Sequence, residues 1–257
     1  MSPNGTAAYD AAADLPPLVE RAVSLARQAG FANSCRPEHG RLLLALAAGA
    51  EVIGETGTGC GVGLAWLVSG AQPGARLISV ELNAGRAERA AQLFSGMPRV
   101  TVIAADWAEI YLHGPFDLLV LDGGAHGKPG PSAVDPDLLL RPGGTVVIDD
   151  LTPARHWPPR YVGGVDEARL GWLDYPGLDA AELRLAPDLA SVLPVVALME
   201  QRLAPFAPRP HWGKVFTATP EFLHASYPRL PDFLALARHY DPAGKFRNPY
   251  TARYLAR

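Results

Sequence analysis

Val52-Ile53-Gly54-Glu55-Thr56-Gly57-Thr58-Gly59-Cys60-Gly61 reads as a short apolar strand that runs into a glycine-rich turn, with a helix starting at Val62. Glycines in such a turn let the backbone take positive φ and come close to a ligand. The first N–H groups of the following helix are unpaired and suit an anionic group such as a carboxylate. A nicotinamide or flavin dinucleotide site needs Gly-x-Gly-x-x-Gly, and no frame starting at Gly54, Gly57, Gly59 or Gly61 has that spacing. What stands here is Glu-x-Gly-x-Gly-x-Gly. Taken alone, it is also compatible with an ordinary tight turn.

The surrounding chain alternates between short apolar runs and amphipathic stretches. Runs ending in Glu55, Glu81, Asp106, Asp122 and Asp149 read as strands, and Val62–Ser69, Ala84–Phe94, Trp107–Leu112 and Ser132–Leu140 as helices. Upstream, Pro16-Pro17 open a helix through Ala29, stopped by Gly30, and a second helix runs from Pro37 to Ala48. This alternation predicts an α/β fold: a doubly wound, mainly parallel, Rossmann-like sheet with helices on both faces. Ligands of such sheets bind beyond the carboxyl ends of the strands, where strand order reverses. The five acidic residues fall at those ends.

Composition narrows the class. The chain has 257 residues, 48% hydrophobic and 19% charged, enough to bury a substantial core. Net charge is -3 and lysine occurs only at Lys128, Lys214 and Lys245, so a nucleic-acid partner is not expected. The longest apolar run, Leu42 to Gly54, is interrupted by Glu51 and too short to span a membrane. Met1-Ser2-Pro3-Asn4-Gly5 lacks the basic-then-apolar pattern of a secretory signal, and a cytoplasmic protein is expected. Cys35 and Cys60 form neither a zinc pattern nor a disulfide framework.

The acids suit a nucleoside-bearing ligand. Glu81 closes Leu77-Ile78-Ser79-Val80, where a carboxylate can accept hydrogen bonds from two ribose hydroxyls. Asp106 can receive an adenine amino group and Trp107 can cover the ring. Asp122 closes Phe116–Leu121 and faces the same crevice. Each acid alone also fits a solvated strand end or a helix cap.

The ordered set resembles class I S-adenosylmethionine-dependent methyltransferases, most closely the O-methyltransferases of the catechol and caffeoyl-CoA type. The resemblance covers about Leu15 to Ala190 and rests on Pro37-Glu38-His39-Gly40-Arg41-Leu42-Leu43, the Glu55–Gly61 loop, Glu81, Ala105-Asp106, Phe116–Asp122 and Leu140–Asp150. It implies that Gly57, Gly59 and Gly61 wrap the methionine part of S-adenosylmethionine, with Glu55 of the same loop among the cofactor-binding residues. Glu81 would hold the ribose, Asp106 and Trp107 the adenine, with Asp122 beside them. The implied reaction is methyl transfer to a hydroxyl of a small molecule, and a homodimer is compatible with it. Gly63 stands where many relatives carry a small hydroxyl residue.

Metal-dependent relatives hold Mg²⁺ or another divalent cation on Asp, Asp and Asn; the matching positions are Asp122, Asp149 and Asp150. The other reading is that Asp149-Asp150 only end a strand. A neutral hydroxyl must lose its proton during transfer. Where relatives have a lysine this chain has Ala125, with His126 and Lys128 close by in sequence. His126 suits the base by its ordinary pKa, although a solvated loop histidine would look the same. Trp157 and His156 are candidates for the wall of the acceptor pocket.

After Leu151 the pattern changes, with a helix expected over Asp166–Leu173 and a strand over Glu182–Ala186. We place a boundary near Ser191, dividing a methyltransferase domain, 1–190, from a mainly helical tail, 191–257. The tail, through His211-Trp212-Gly213-Lys214 and Asp241–Tyr250, resembles the C-terminal end of flavin-dependent sugar-lactone and alditol oxidases. Their flavin-binding domain does not fit in this chain, so FAD is not expected. An oxidase fragment and a non-catalytic cofactor-binding fusion remain the alternatives. Pro194 lacks the N–H that a central last strand needs.

Overall fold

Five apolar runs pair as parallel strands: β1 Val52–Thr56, β2 Arg76–Glu81, β3 Val100–Ala104, β4 Phe116–Leu121 and β5 Leu140–Ile148. Their spatial order is β3-β2-β1-β4-β5. The chain winds outward from β1 through β2 to β3, then returns to the other side of β1. Strand order therefore reverses between β1 and β4, and a crevice opens beyond their carboxyl ends. The computed structural model describes residues 4–125, 127, 134–149, 151, 157–183, 185, 196–198, 200–202, 204–206, 209, 216–242 and 254. It forms two units, Met1–Leu185 and Ala186–Arg257.

Alternation along the strands feeds two cores. Ile53, Leu77, Leu118 and Val120 face α1 Pro17–Gln28, α2 Pro37–Ala47, α3 Val62–Gly70 and α4 Ala84–Phe94. Val52, Ile78, Val80, Leu119 and Leu121 face Ile110, Leu139 and Trp172 on the opposite side. Phe116 also joins this second core, and the register of β4 against β5 shifts between Phe116 and Leu118. Its ring lies over Gly54, where a Cβ would come within 2.8 Å. The intervening Asp117 accepts from the N–H groups of Glu51 and Val52 at 3.0 and 2.8 Å, pinning the start of β1.

Helix α3 is buried from Val62 to Val68, which explains its apolar, non-amphipathic run. It packs so closely on α2 that a Cβ on Gly40 would meet the Trp66 indole at 2.1 Å and one on Gly70 the Leu44 carbonyl oxygen at 2.1 Å.

Three expected elements differ. Trp107–Leu112 is a 3-10 turn capped by Asp106 and ended before Gly114-Pro115. Of the expected helix Ser132–Leu140 the described part is α5 Pro136–Leu139. Asp135 caps it with proline at its start, and Leu140 is already extended. In the expected strand Glu182–Ala186, the described Glu182, Leu183 and Leu185 have no regular structure. There Glu182 pairs with Arg169 of α6 Glu167–Leu173. A hairpin of β6 Arg160–Tyr161 and β7 Gly164–Val165 was not foreseen. Pro194 lies outside the described residues.

In the second unit, α7 Pro220–Ser226 is capped by Thr219 and followed by α8 Leu230–Tyr240. Phe216, Leu223 and Tyr254 form its small core. No described helix is long and apolar enough to cross a membrane.

The α2–α3 contact makes a direct prediction. Gly70→Ala forces a methyl group onto a backbone carbonyl and is expected to destabilise the protein by about 2 kcal/mol, read from the urea midpoint. Gly74→Ala, with nothing within 4 Å of the added carbon, is the control and leaves the midpoint in place.

Candidate functional site

The glycine turn touches the turn after β4 backbone to backbone. A Cβ on Gly57 would sit 2.4 Å from Gly123 Cα, and one on Gly123 would sit 2.3 Å from Gly57 Cα. Gly57 also takes a φ of +89°, so two independent constraints exclude a side chain there. The N–H of Gly57 donates to Val80 O at 2.8 Å, that of Asp122 to Thr56 O at 3.0 Å, and that of Gly61 to Thr58 O at 2.8 Å. Gly61, at φ +87°, precedes α3 and offers no capping side chain to the first N–H groups of the helix.

Two carboxylates lie under this turn. Glu55 is 2% exposed and accepts from Ser79 Oγ at 2.5 Å, and Ser79 Oγ lies 2.5 Å from Thr58 Oγ1. Burial pushes the Glu55 carboxyl up to about 8; Ser79 pulls it down, while the charges of Asp122 and Glu81 push it further up. A Cβ on Gly63 would stand 2.6 Å from Glu55 Oε1, so this carboxyl occupies the space a hydroxyl side chain at 63 would need. Glu81 is 4% exposed. Its Oε2 accepts from Gly59 N–H at 2.8 Å, and its Oε1 from Asn83 N–H at 2.9 Å and from Arg86 Nε and Nη2 at 3.0 and 2.7 Å.

A cleft opens here, lined by Phe31, Asn33, Ser34 and Cys35, by Gly57 to Cys60, Val62 and Gly63, and by Asp122. The structure thus brings Gly57, Gly59 and Asp122 together on one cleft, with Gly61 at the helix start, Glu81 bound to Gly59 and Glu55 beneath. Asp106 is exposed and accepts from Ala108 N–H at 3.0 Å. Trp107 packs on the β4 turn, its Cδ1 3.1 Å from where a Gly124 Cβ would be. Neither is part of the cleft lining. His126, Lys128, Asp150, His156, His211 and Lys214 lie outside the described residues; Trp157 is described and exposed.

One residue of this end of the sheet escaped the sequence reading. His39 is buried in the first turn of α2, its Nδ1 3.2 Å from Asp149 Oδ2. Burial acts to lower its pKa, but the hydrogen bond and charge of Asp149, with the charge of Asp122, leave it raised. The available signal was its place on the buried stripe His39, Leu43, Ala47, at intervals of one helical turn. Cys35 faces the same charges, and its thiol is pushed well up, first by burial and then by Asp122. Among the described residues no group of three His, Cys, Asp or Glu side chains is placed to hold a metal ion. Asp149, read as a metal ligand, meets His39. Asp150 of the expected cation set lies outside the described residues.

The fold is doubly wound and Rossmann-like, with the strand order β3-β2-β1-β4-β5. Residues 55–151 match the family model described as methyltransferase domain, and residues 190–254 match that of D-arabinono-1,4-lactone oxidase. A Mycolicibacterium vanbaalenii protein, provisionally named an O-methyltransferase, is 31% identical over 138 residues, 50% of this chain and 58% of its own. An alditol oxidase of a Streptomyces species is 59% identical over 63 residues, 24% of this chain and 15% of its own. The chain thus spans little over half of one curated relative and a small part of the other. A Corynebacterium glutamicum protein of known structure shares the fold with TM-score 0.55 and 17% identity, over 70% of this chain and 90% of its own. Both resemblances drawn from the sequence are met.

The buried Glu55 has a measurable consequence. Its folded pKa of about 8 lies above the ordinary 4.5, so the folded state keeps a proton that the unfolded chain loses. Its contribution to stability is full below the ordinary value and is lost as pH rises through the folded one. Glu55→Gln is therefore expected to gain stability relative to the parent between about pH 5 and about pH 9 in urea unfolding. A difference independent of pH would mean that Glu55 ionises freely.

Proposed function

We propose that the chain binds S-adenosylmethionine in the cleft between the β1 and β4 turns and transfers its methyl group to a hydroxyl of a small molecule. One observation carries the reading: the glycine turn is held open at the switch point with the Glu81 carboxylate fastened to the Gly59 N–H. The methyltransferase-domain match and the O-methyltransferase relative support it.

S-adenosylmethionine supplies a methyl group on a sulfonium sulfur, which an acceptor oxygen displaces in line. The residues present fit such a ligand. Bare glycine backbone allows close approach, and the start of α3 offers N–H groups to a carboxylate. Asp122 places negative charge beside a cationic group. Glu81 Oε2 keeps a lone pair for a ribose hydroxyl, and Asp106 with Trp107 stand at the next strand end for adenine. Candidates for proton removal from the acceptor are His39, tied to this end of the sheet through Asp149, and His126 and Lys128, which follow Asp122 in sequence.

Calorimetric titration of the purified protein with S-adenosylmethionine, with and without Mg²⁺, tests the reading. Micromolar binding is expected, and Glu81→Ala is expected to weaken it at least about tenfold. An unchanged affinity in that variant removes Glu81 from the ribose, and a folded parent that does not bind overturns the reading. A Mg²⁺ requirement for turnover would bring Asp122, Asp149 and Asp150 back as cation ligands. Binding without turnover across a panel of hydroxyl acceptors would favour the non-catalytic fusion, and visible flavin absorbance the oxidase fragment.

A further inference from the structure

Arg86 has no counterpart in the features used above, yet it closes a ring of four contacts around one end of the cleft. It stands in the first turn of α4, where Asn83 Oδ1 accepts its backbone N–H at 3.0 Å and so fixes the root of the side chain. Its guanidinium reaches back to Glu81 Oε1 with two donors, Nε at 3.0 Å and Nη2 at 2.7 Å. Glu81 Oε2 accepts from the Gly59 N–H at 2.8 Å. The Phe31 ring lies against Gly59, 2.9 Å from where a Cβ would be, and the Arg86 guanidinium carbon sits 5.4 Å from the centre of that ring. Arginine, carboxylate, glycine backbone and aromatic ring thus hold one another, and Phe31 and Gly59 both line the cleft.

The Glu81 side chain is 5% exposed and that of Arg86 34%. A carboxylate so buried is costly unless it is paired, and a two-pronged arginine fixes its plane as well as its charge. Oε1 already takes three donors. Oε2 takes the Gly59 N–H and has capacity for one more. Arg86 therefore decides which oxygen of Glu81 can meet an incoming hydroxyl.

We propose that Arg86 is a positioning residue that sets recognition of the ribose: it loads Glu81 Oε1, turns Oε2 to the ligand, and locks Phe31 and the glycine turn around it. The proposal rests on the cleft being a site for S-adenosylmethionine. Lysine would supply the charge without the fork, and glutamine neither.

The experiment compares S-adenosylmethionine with its 2′-deoxy and 3′-deoxy ribose analogues by calorimetry on the parent, Arg86→Gln and Arg86→Lys, with thermal melting of each unliganded protein. The parent is expected to lose about tenfold in affinity when a recognised hydroxyl is missing. Arg86→Gln is expected to bind S-adenosylmethionine about tenfold more weakly, with the deoxy penalty reduced to about twofold or less. Arg86→Lys falls between. In turnover, the KM for S-adenosylmethionine rises while kcat is kept. Full affinity in Arg86→Gln overturns the proposal, as does weak binding with the parent's deoxy penalty intact, which would mark a merely structural role. A parent indifferent to the missing hydroxyls overturns it too. If Arg86→Gln does not fold, the reduced penalty in Arg86→Lys decides. A folded parent that fails to bind S-adenosylmethionine is a different result, because it removes the underlying reading.

Discussion

The contact between Gly57 and Gly123 is the constraint on which the rest of the crevice depends. Two chain segments leave adjacent parallel strands at the point where the sheet reverses its order, and they meet with no side chain between them. β1 can then run fully buried into a turn whose Gly57 N–H serves β2 at Val80 O while its Gly61 N–H closes on Thr58 O. The same approach brings Asp122 to the cleft and sets Trp107 of the next strand end against Gly124. A bulky residue at either glycine would part the two turns and with them every group that the sheet delivers there.

A second wall comes from the start of the chain. Thr6 Oγ1 lies 2.7 Å from Phe31 O and 2.8 Å from Ser34 Oγ, and the Tyr9 hydroxyl donates to Cys35 O at 3.0 Å while accepting from Trp66 Nε1 at 2.9 Å. The 31–35 segment, which has no regular structure of its own, is thus clamped between an N-terminal turn and buried α3. Phe31 can then serve as a fixed surface for Arg86. The acids gathered at this end are each managed differently. Glu81 is paired with an arginine, Asp149 meets a histidine, and Glu55 keeps its proton through neutral pH because burial, with the charges of Asp122 and Glu81, outweighs the pull of Ser79.

The succession of strands along the chain, the glycine turn and the acids at the strand ends were legible in the sequence because each has a local signature: an apolar run, a turn residue, a polar stop. Helix α4 has the expected bounds, Ala84–Phe94, since Asn83 caps it and its stripe has helical period. Ser132–Leu140 was misread because the proline that starts α5 also shortens it, and because β5 takes Leu140 for pairing with Phe116. His39 and Arg86 were missed for a different reason. Each acts through a partner far away in sequence or across a turn, Asp149 in one case and Phe31 in the other, and no single-segment pattern carries such a pairing.

Every residue named at the crevice lies between Thr6 and Asp149, whereas the oxidase match begins at residue 190. The chemistry available to the two segments is correspondingly unequal. The first contains a strand reversal, a bare-backbone turn and paired carboxylates, which suffice to shape a ligand site. The second matches 15% of the length of an alditol oxidase. A fold carries function only through the site built on it, and the described residues build that site on the first segment. Identity is higher in the tail, 59% over 63 residues, than in the methyltransferase-like part, 31% over 138.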